Sequence, residues 1–501
     1  MKTAKLIGNI SIIIVYALLA KVLSFVIELL LAAKFGANEQ TDIFFMAYGI
    51  IQVLYPMISI GIWKVFMPEY KARISLGKED EADSITSKLL CIFLLIVFVL
   101  SILIILYPQL LVKLFAPGFD HTKTAYCGEM LRILSLTFFF NTIATFCAAI
   151  LQANGRFGRS QLKEVIQHIP PIVFLLFFSA TYGINGVSAA IVIGAVLSAS
   201  VANYLTKEFY IFRPPKTKLF DKDTVDVLKS VPAACLNAII NQINGIIDRA
   251  FSSNLVIGAL TYLNYGSRLI HLFDGIFSTA ISTVLFPHIT ELVAKCEDTK
   301  LKTLIREYLM IISAILVPIS CFILIFSSDL INVAFGYGNF NMNDVTDTSK
   351  VLMMYAIGLP AMGVTTVIND LFYVRKRANE LLSTTIICIV INIILDFILI
   401  GNWGVAGLAL ATSIAYYISL FIKILMLKKD VRIDRQMVKN LIIVIIVSVL
   451  AISVSYGIIR YICINKILRL IVLFTISGTV YITALISLNR YYRNLILSLF
   501  K

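Results

Sequence analysis

Apolar and polar positions along this chain alternate on a scale of about twenty residues, not of two or four. Runs such as LLCIFLLIVFVLSILIILY (89–107) and LIIVIIVSVLAISVSYGII (441–459) contain no charged residue. Each is long enough to cross a hydrocarbon core of ~30 Å, which takes ~20 residues of helix. Read in this way, the pattern predicts spans at 6–34, 42–66, 86–112, 128–152, 160–181, 184–206, 229–250, 258–288, 306–334, 349–374, 380–400, 403–426, 438–459 and 467–488. The expectation is an all-α polytopic membrane protein of about fourteen transmembrane helices.

Polar residues inside these spans are not scattered. In span 7, CLNAIINQINGIIDRAF (235–251) places Asn237, Asn241, Asn244 and Asp248 four, three and four residues apart, on one helix face, with Arg249 following. Span 8 repeats the device with Asn264, Arg268, His271, Gly275, Ser278 and Ser282. Span 2 has Tyr48, Gln52, Tyr55 and Ser59, and span 1 has Lys21, Ser24 and Glu28. Isolated Asn and Ser residues are common glue between membrane helices, worth about 0.6 kcal/mol per bond. Charges are different: one at the bilayer centre costs from ~3 to above 10 kcal/mol, so Lys21, Arg268 and the Asp248–Arg249 pair call for a wet cavity. His271 fits either a packing or a titrating role. Glu164, His168 and Asp396 lie nearer span ends and are expected to be solvated at the interface. Pro56, Pro170 and Pro171 are expected to kink their spans.

The chain is written twice. AYGIIQVLYPMISIGIWKVFMP (47–68) answers NYGSRLIHLFDGIFSTAISTVLFP (264–287), LVKLFAPGF (111–119) answers INVAFGYGN (331–339), and GINGVSAA (183–190) answers GNWGVAGL (401–408). The offsets lie between 217 and 220 residues. A duplicated six-helix unit follows, with lobes at 1–215 and 216–430 and two appended helices in 431–501. Because each unit has an even number of spans, the copies are parallel, related by a pseudo-twofold axis along the membrane normal. The polar stripes fall on the first two helices of each copy.

Composition narrows the function. The chain has 501 residues, 59% hydrophobic and 14% charged, with mean hydropathy +0.90, far from the roughly 25% charge of soluble domains. Its net charge of +14 is a topology signal and no nucleic-acid surface. With the N-terminus in the cytoplasm, about thirty Lys and Arg fall in inner segments against roughly eight outside, as the positive-inside rule requires. Both termini are then cytoplasmic. Basic inner segments such as KEFYIFRPPKTKLFDKD (207–223) and KKDVRIDRQMVK (428–439) suit anionic membrane lipids. The eight cysteines are scattered without a CxxC pair, so neither a disulfide framework nor a metal site is expected. No Walker GxxxxGK[ST], HExxH or GxSxG motif is present, so no enzyme activity is expected and any driving force must come from a gradient or the membrane potential.

RLIHLFDGIFSTAISTVLFP (268–287), LFAPGF (114–119), ILQANGRF (150–157) and AFGYGNF (334–340) resemble the MurJ (MviN) family of lipid II flippases, within the multidrug/oligosaccharidyl-lipid/polysaccharide (MOP) exporter superfamily. The resemblance implies a V-shaped transporter whose central cavity is built from spans 1, 2, 7 and 8. It also implies an undecaprenyl tail held along a groove of spans 13 and 14. Arg268 falls on the family's span 8 arginine and Lys21 on a span 1 arginine. The second span 1 arginine is Ile27 here, with Glu28 in place of the adjacent acid. The span 2 arginines become Leu54 and Tyr55, and the acid before the span 8 arginine becomes Ser267.

The resulting expectation is an alternating-access flippase in the bacterial plasma membrane, moving an undecaprenyl-pyrophosphate-linked saccharide, first of all lipid II, from the inner to the outer leaflet. Lys21 and Arg268 would neutralise phosphate, while Asn237, Asn241, Asn244, Asn264, Gln52, Tyr55 and His271 would meet the saccharide. Glu28, Asp248, Arg249 and Asp274 are coupling or structural charges, with a monovalent cation or the membrane potential as the energy source and no other cofactor. Cell-wall synthesis proteins are candidate partners. Competing readings are a flippase for another polyprenyl-linked oligosaccharide, an exporter of small organic cations, which Tyr48, Tyr55, Glu28 and Asp248 would suit, and a scaffold that transports nothing.

Overall fold

The computed structural model describes residues 2–215, 218–229, 231–431, 434–459, 465–489 and 491–493, with side chains described outside 2–14, 233–234, 236–239, 241, 279 and 459. The described residues are helical, and eleven of their helices are long and apolar enough to cross a membrane. Two compact units result: Met1–Thr261 with Gly338–Phe340, and Tyr262–Tyr337 with Asn341–Lys501. The lobe boundary near 215 divides the chain by internal similarity. Packing divides it differently and leaves span 7 with the first unit.

In the first unit, α1 (Lys2–Phe35) ends at Gly36, and α2 (Glu39–Gly61) begins at once because Asn38 and Thr41 form a capping box. The helix runs through Pro56 and widens into a π-helical turn, Ile62–Phe66, before α3 (Met67–Ser75). Span 3 is α4 (Glu79–Leu106), followed by the short α5 (Pro108–Phe115), and span 4 is α6 (His121–Ala153). The last of these is the hub, packing against α2, α4 and α10 (Asn185–Thr206). Phe146 of α6 meets Phe66 at 4.6 Å and Phe93 at 5.6 Å between ring centroids. Span 5 breaks where its prolines lie, into α7 (Phe157–Ile166) and α8 (Ile169–Phe177), with the one-turn α9 (Ser179–Tyr182) after it. The unit closes with α11 (Lys222–Leu228) and span 7, α12 (Val231–Ser252), which packs on α2.

The second unit takes in most of α13 (Ala259–Ala294), then α14 (Asp298–Phe335) and α15 (Met342–Val374). Spans 11 and 12, expected as separate helices, join as α16 (Ala378–Met426), broken at Gly404 (φ 51°, ψ −131°). The apolar run continues through the turn, so reversal needs one torsion only glycine adopts easily and no polar loop. The chain continues with α17 (Arg435–Ile459) and α18 (Lys466–Leu488). Exposed apolar side chains such as Leu95, Phe98 and Ile102 on α4, or Ile442, Ile446 and Leu450 on α17, form the surface a bilayer would cover.

Backbone torsions bear out the duplication more sharply than residue identity does. Gly155 ends α6 with φ 76°, and Lys376, 221 residues on, ends α15 with φ 58°. Gly77 after α3 (φ 74°) corresponds to Cys296 after α13 (φ 56°). In all four turns the following amide reaches back to the carbonyl five residues earlier, as from Arg156 to Leu151 and from Arg377 to Phe372. Gly183 (φ 60°) pairs in the same way with Gly404, an offset of 221. The offset of 218 read from GINGVSAA and GNWGVAGL is therefore off by one helical turn, because glycine identity alone does not fix which glycine makes the turn.

The units share an electrostatic device too. Lys88 on α4 binds Asp221 at 2.5 Å, and Asp221 caps α11 by accepting from the Thr224 amide at 2.9 Å. Arg306 on α14, 218 residues after Lys88, binds Asp434 at 2.9 Å, and Asp434 accepts from the Met437 amide at 2.7 Å to cap α17. Span 13 thus starts on the second unit as the segment before span 7 starts on the first. After Asp221 the helix stops short of Pro232, whereas α17 has no proline and runs on.

Candidate functional site

The polar stripes meet different fates. On α1, Lys21 is exposed and Glu28 is buried at 9%. On α2, Gln52 is exposed, and Tyr48 stacks on Phe44 with ring centroids 5.8 Å apart. Tyr55 is already engaged. Its hydroxyl lies 2.8 Å from the Asn141 carbonyl, to which it donates, and 2.7 Å from the Thr145 hydroxyl, while its ring stacks on Phe138. That ties α2 to α6.

On α12, the side chains of Asn237 and Asn241 lie outside the described residues. Asn244 is half-buried, and its Oδ1 has no hydrogen-bond partner among the described residues. Asp248 and Arg249 are half-buried as well. Arg249 donates from Nη1 to the Gly245 carbonyl at 3.2 Å, and its guanidinium fills the space beside Gly49 of α2. A Cβ on residue 49 would stand 2.5 Å from Arg249 Nε, so the α2–α12 contact depends on that glycine.

On α13, Asn264 and Arg268 are half-buried and His271 is exposed. The Asn264 Nδ2 has no acceptor among the described residues. One turn further, Asp274 accepts from the Ser278 hydroxyl at 2.6 Å, and Ser282 donates to Asp370 of α15 at 2.5 Å. The candidate residues therefore fall into two sets. Lys21, Glu28, Gln52, Asn244, Asp248 and Arg249 belong to the first unit, and Asn264, Arg268, His271 and Asp274 to the second.

Three acids carry more structure than their sequence positions suggest. Asp42, one turn into α2, accepts from the amides of Gly258 at 2.6 Å and Thr261 at 2.9 Å and from the Thr261 hydroxyl at 2.7 Å, thereby capping α13. Asp370 was outside every stripe because its partner, Ser282, lies 88 residues away. Asp396, expected to be solvated at the interface, is instead fully buried, together with Asn392 one turn before it. The reason is Gly404: the helix does not end at the interface near residue 400, and Thr384, Asn392 and Asp396 turn the inner face of α16 toward the unit's interior. Glu164 binds Lys163 at 2.5 Å and Gln167 at 2.8 Å, and His168 sits at the break between α7 and α8.

The arrangement offers cations on two helices, α1 and α13, beside amides and hydroxyls at helical spacing. Such groups can hold a phosphorylated, hydroxyl-rich solute.

Comparison with known proteins places this arrangement. The family model described as "Lipid II flippase MurJ" matches residues 31–480. A probable lipid II flippase MurJ of Buchnera aphidicola subsp. Schizaphis graminum is 27% identical over 491 residues, covering 94% of each chain. Among solved structures, a lipid II flippase MurJ in an inward closed conformation superimposes with a TM-score of 0.81 at 26% identity, over 97% of this chain and 99% of its own. An inward-facing multidrug resistance MATE transporter of the MOP superfamily matches at TM-score 0.68 and 14% identity, over 81% and 93% of the two chains, a likeness of fold alone. With its family model matched from residue 31 to 480, this multi-pass membrane chain belongs to the MurJ lipid II flippase family.

Proposed function

We propose that this chain is an alternating-access flippase that moves lipid II from the inner to the outer leaflet of the bacterial plasma membrane. The observation that carries the reading is the match, over 97% of the chain, to a solved lipid II flippase. Lys21 and Arg268 neutralise the pyrophosphate, and Asn237, Asn241, Asn244, Asn264, Gln52 and His271 meet the saccharide. The undecaprenyl tail stays in lipid along α17 and α18, whose outer faces are apolar and exposed. Glu28, Asp248 and Asp274 are the candidates for a coupling cation, and the membrane potential supplies ~2.3 kcal/mol per charge per 100 mV. Both termini face the cytoplasm, and cell-wall synthesis proteins are candidate partners.

A second reading, transport of another polyprenyl-linked saccharide, draws on the replaced arginines. Ile27, Leu54 and Ser267 bring no charge, and the Tyr55 hydroxyl is spent on α6. Lysine at position 21 is also a weaker phosphate holder than the bidentate arginine fork. The test is complementation: deplete the resident lipid II flippase, supply the parent or Arg268→Ala, confirm equal membrane levels, and measure lipid II on the outer leaflet. Rescue by the parent with at least about tenfold loss in the variant, the cost of one charge-assisted contact, is expected. A parent that is present in the membrane and fails to rescue would replace lipid II by the second substrate class.

A further inference from the structure

Within the second unit, α14, α17 and α18 enclose a cavity of about 580 Å³ walled by apolar side chains such as Ile315, Phe322, Ile452 and Phe474. That volume is within the range of ordinary ligand sites. Toward one end, the helices carry a cluster of polar groups of another kind. Arg306 lies on α14 just before the cavity-lining Ile311, Asn440 on α17 two turns before the lining Ser448, and Tyr491 and Tyr492 just after α18, with Tyr492 itself part of the lining. Four donor atoms there are buried without an acceptor among the described residues: Arg306 Nε, Asn440 Nδ2, Tyr491 Oη and Tyr492 Oη. Asn440 and Tyr492 are each only 1% exposed.

The cluster is built, not loose. Arg306 pairs with Asp434 at 2.9 Å and lies 6.0 Å from the centre of the Tyr491 ring. The Asn440 Oδ1 accepts from Asn489 Nδ2 at 3.0 Å and from Gln436 Nε2 at 3.2 Å, which leaves its Nδ2 pointing elsewhere. Burial raises both phenols above the ordinary tyrosine value, so both remain O–H donors at physiological pH. A buried donor without a partner is costly, and four converging donors need an acceptor from outside the chain.

We propose that this cavity binds a glycerophospholipid of the surrounding membrane, with a chain along the apolar walls and the phosphodiester oxygens on the donors of Arg306, Asn440, Tyr491 and Tyr492. Length supports this occupant. From Leu485 to Phe474, α18 rises about 16 Å, half of a ~30 Å hydrocarbon core and so the depth of one leaflet. Charge supports it as well. Asp434 already offsets Arg306, and Glu307 acts on the Tyr491 phenol from nearby. A singly charged diester is therefore accommodated better than a dianionic monoester or a pyrophosphate. The site is separate from the flipping reading and stands or falls without it.

The test uses the delipidated full chain in detergent, titrated with phosphatidylglycerol and, separately, with undecaprenyl phosphate, and read by native mass spectrometry. Tyr492→Phe removes one donor without changing shape. Gly478→Phe projects a ring into the cavity from a position where a Cβ meets nothing within 4 Å. One phosphatidylglycerol adduct is expected on the parent, weakened about tenfold by Tyr492→Phe and lost in Gly478→Phe, with undecaprenyl phosphate binding unchanged by either. No phosphatidylglycerol adduct on the parent, an adduct indifferent to both substitutions, or undecaprenyl phosphate as the ligand that both weaken would each overturn the proposal.

Discussion

Arg249 shows how much of a membrane charge's environment is set by the residue opposite. Its guanidinium occupies the room that Gly49 leaves by having no side chain, and a methyl group there would stand 2.5 Å from Nε. Gly49→Ala is therefore expected to cost about 1–3 kcal/mol, the range of overpacked sites. The fall should appear in the melting temperature of the solubilised protein, and Arg249→Ala in the same background should recover part of it. Sequence reasoning could place Arg249 after a polar stripe, but it had no means of naming Gly49, 200 residues away. Tyr55 makes the same point from the other side. Its place in the span 2 stripe was legible, whereas the Asn141 carbonyl and Thr145 hydroxyl that occupy its phenol were not, since both lie on α6.

At the scale of elements, what ends a helix here is a torsion, and two kinds of glycine substitution follow with opposite signs. Lys376 and Cys296 adopt positive φ at exposed turns where the first copy has glycine, at a cost of about 1–2 kcal/mol. Lys376→Gly and Cys296→Gly should each stabilise, by up to about 1 kcal/mol after the entropy that glycine adds to the unfolded chain. Gly404→Ala should do the reverse, by about 1–3 kcal/mol, although a Cβ there meets nothing, because φ 51° with ψ −131° is closed to side-chain-bearing residues. Thermal denaturation of the three variants in one detergent checks both signs. Most span positions were legible from hydropathy, because twenty apolar residues is a local requirement. The fusion of spans 11 and 12 was not, because a glycine turn without polar residues leaves the apolar run unbroken. The same blind spot put Asp396 at an interface when it belongs to the interior.

The whole molecule is held at corresponding places by corresponding charges: Lys88 with Asp221 in one unit, Arg306 with Asp434 in the other. The hydrogen bond from Lys88 holds the Asp221 carboxyl well below the ordinary carboxylate range. A carboxyl whose pKa is lowered on folding contributes stability above its unfolded value, about 3.9, and gives it up as pH falls further. Melting temperatures recorded from pH 7 down to pH 3 should therefore drop more steeply below about pH 4 in the parent than in Lys88→Met. Parallel curves would remove this pair from the acid response. The repeat itself was legible from residue matches, yet its register near Gly183 was not, and the turns after α3 and α13 share a torsion while Gly77 and Cys296 share no chemistry. A duplicated gene thus keeps two records that age at different speeds. Side chains drift freely as long as the chain can still turn, and the handedness of the turn is inherited even by residues poorly suited to it. Ancient duplications in other helical proteins should accordingly be traceable by the sign of φ along the backbone, long after comparison of letters has ceased to detect them.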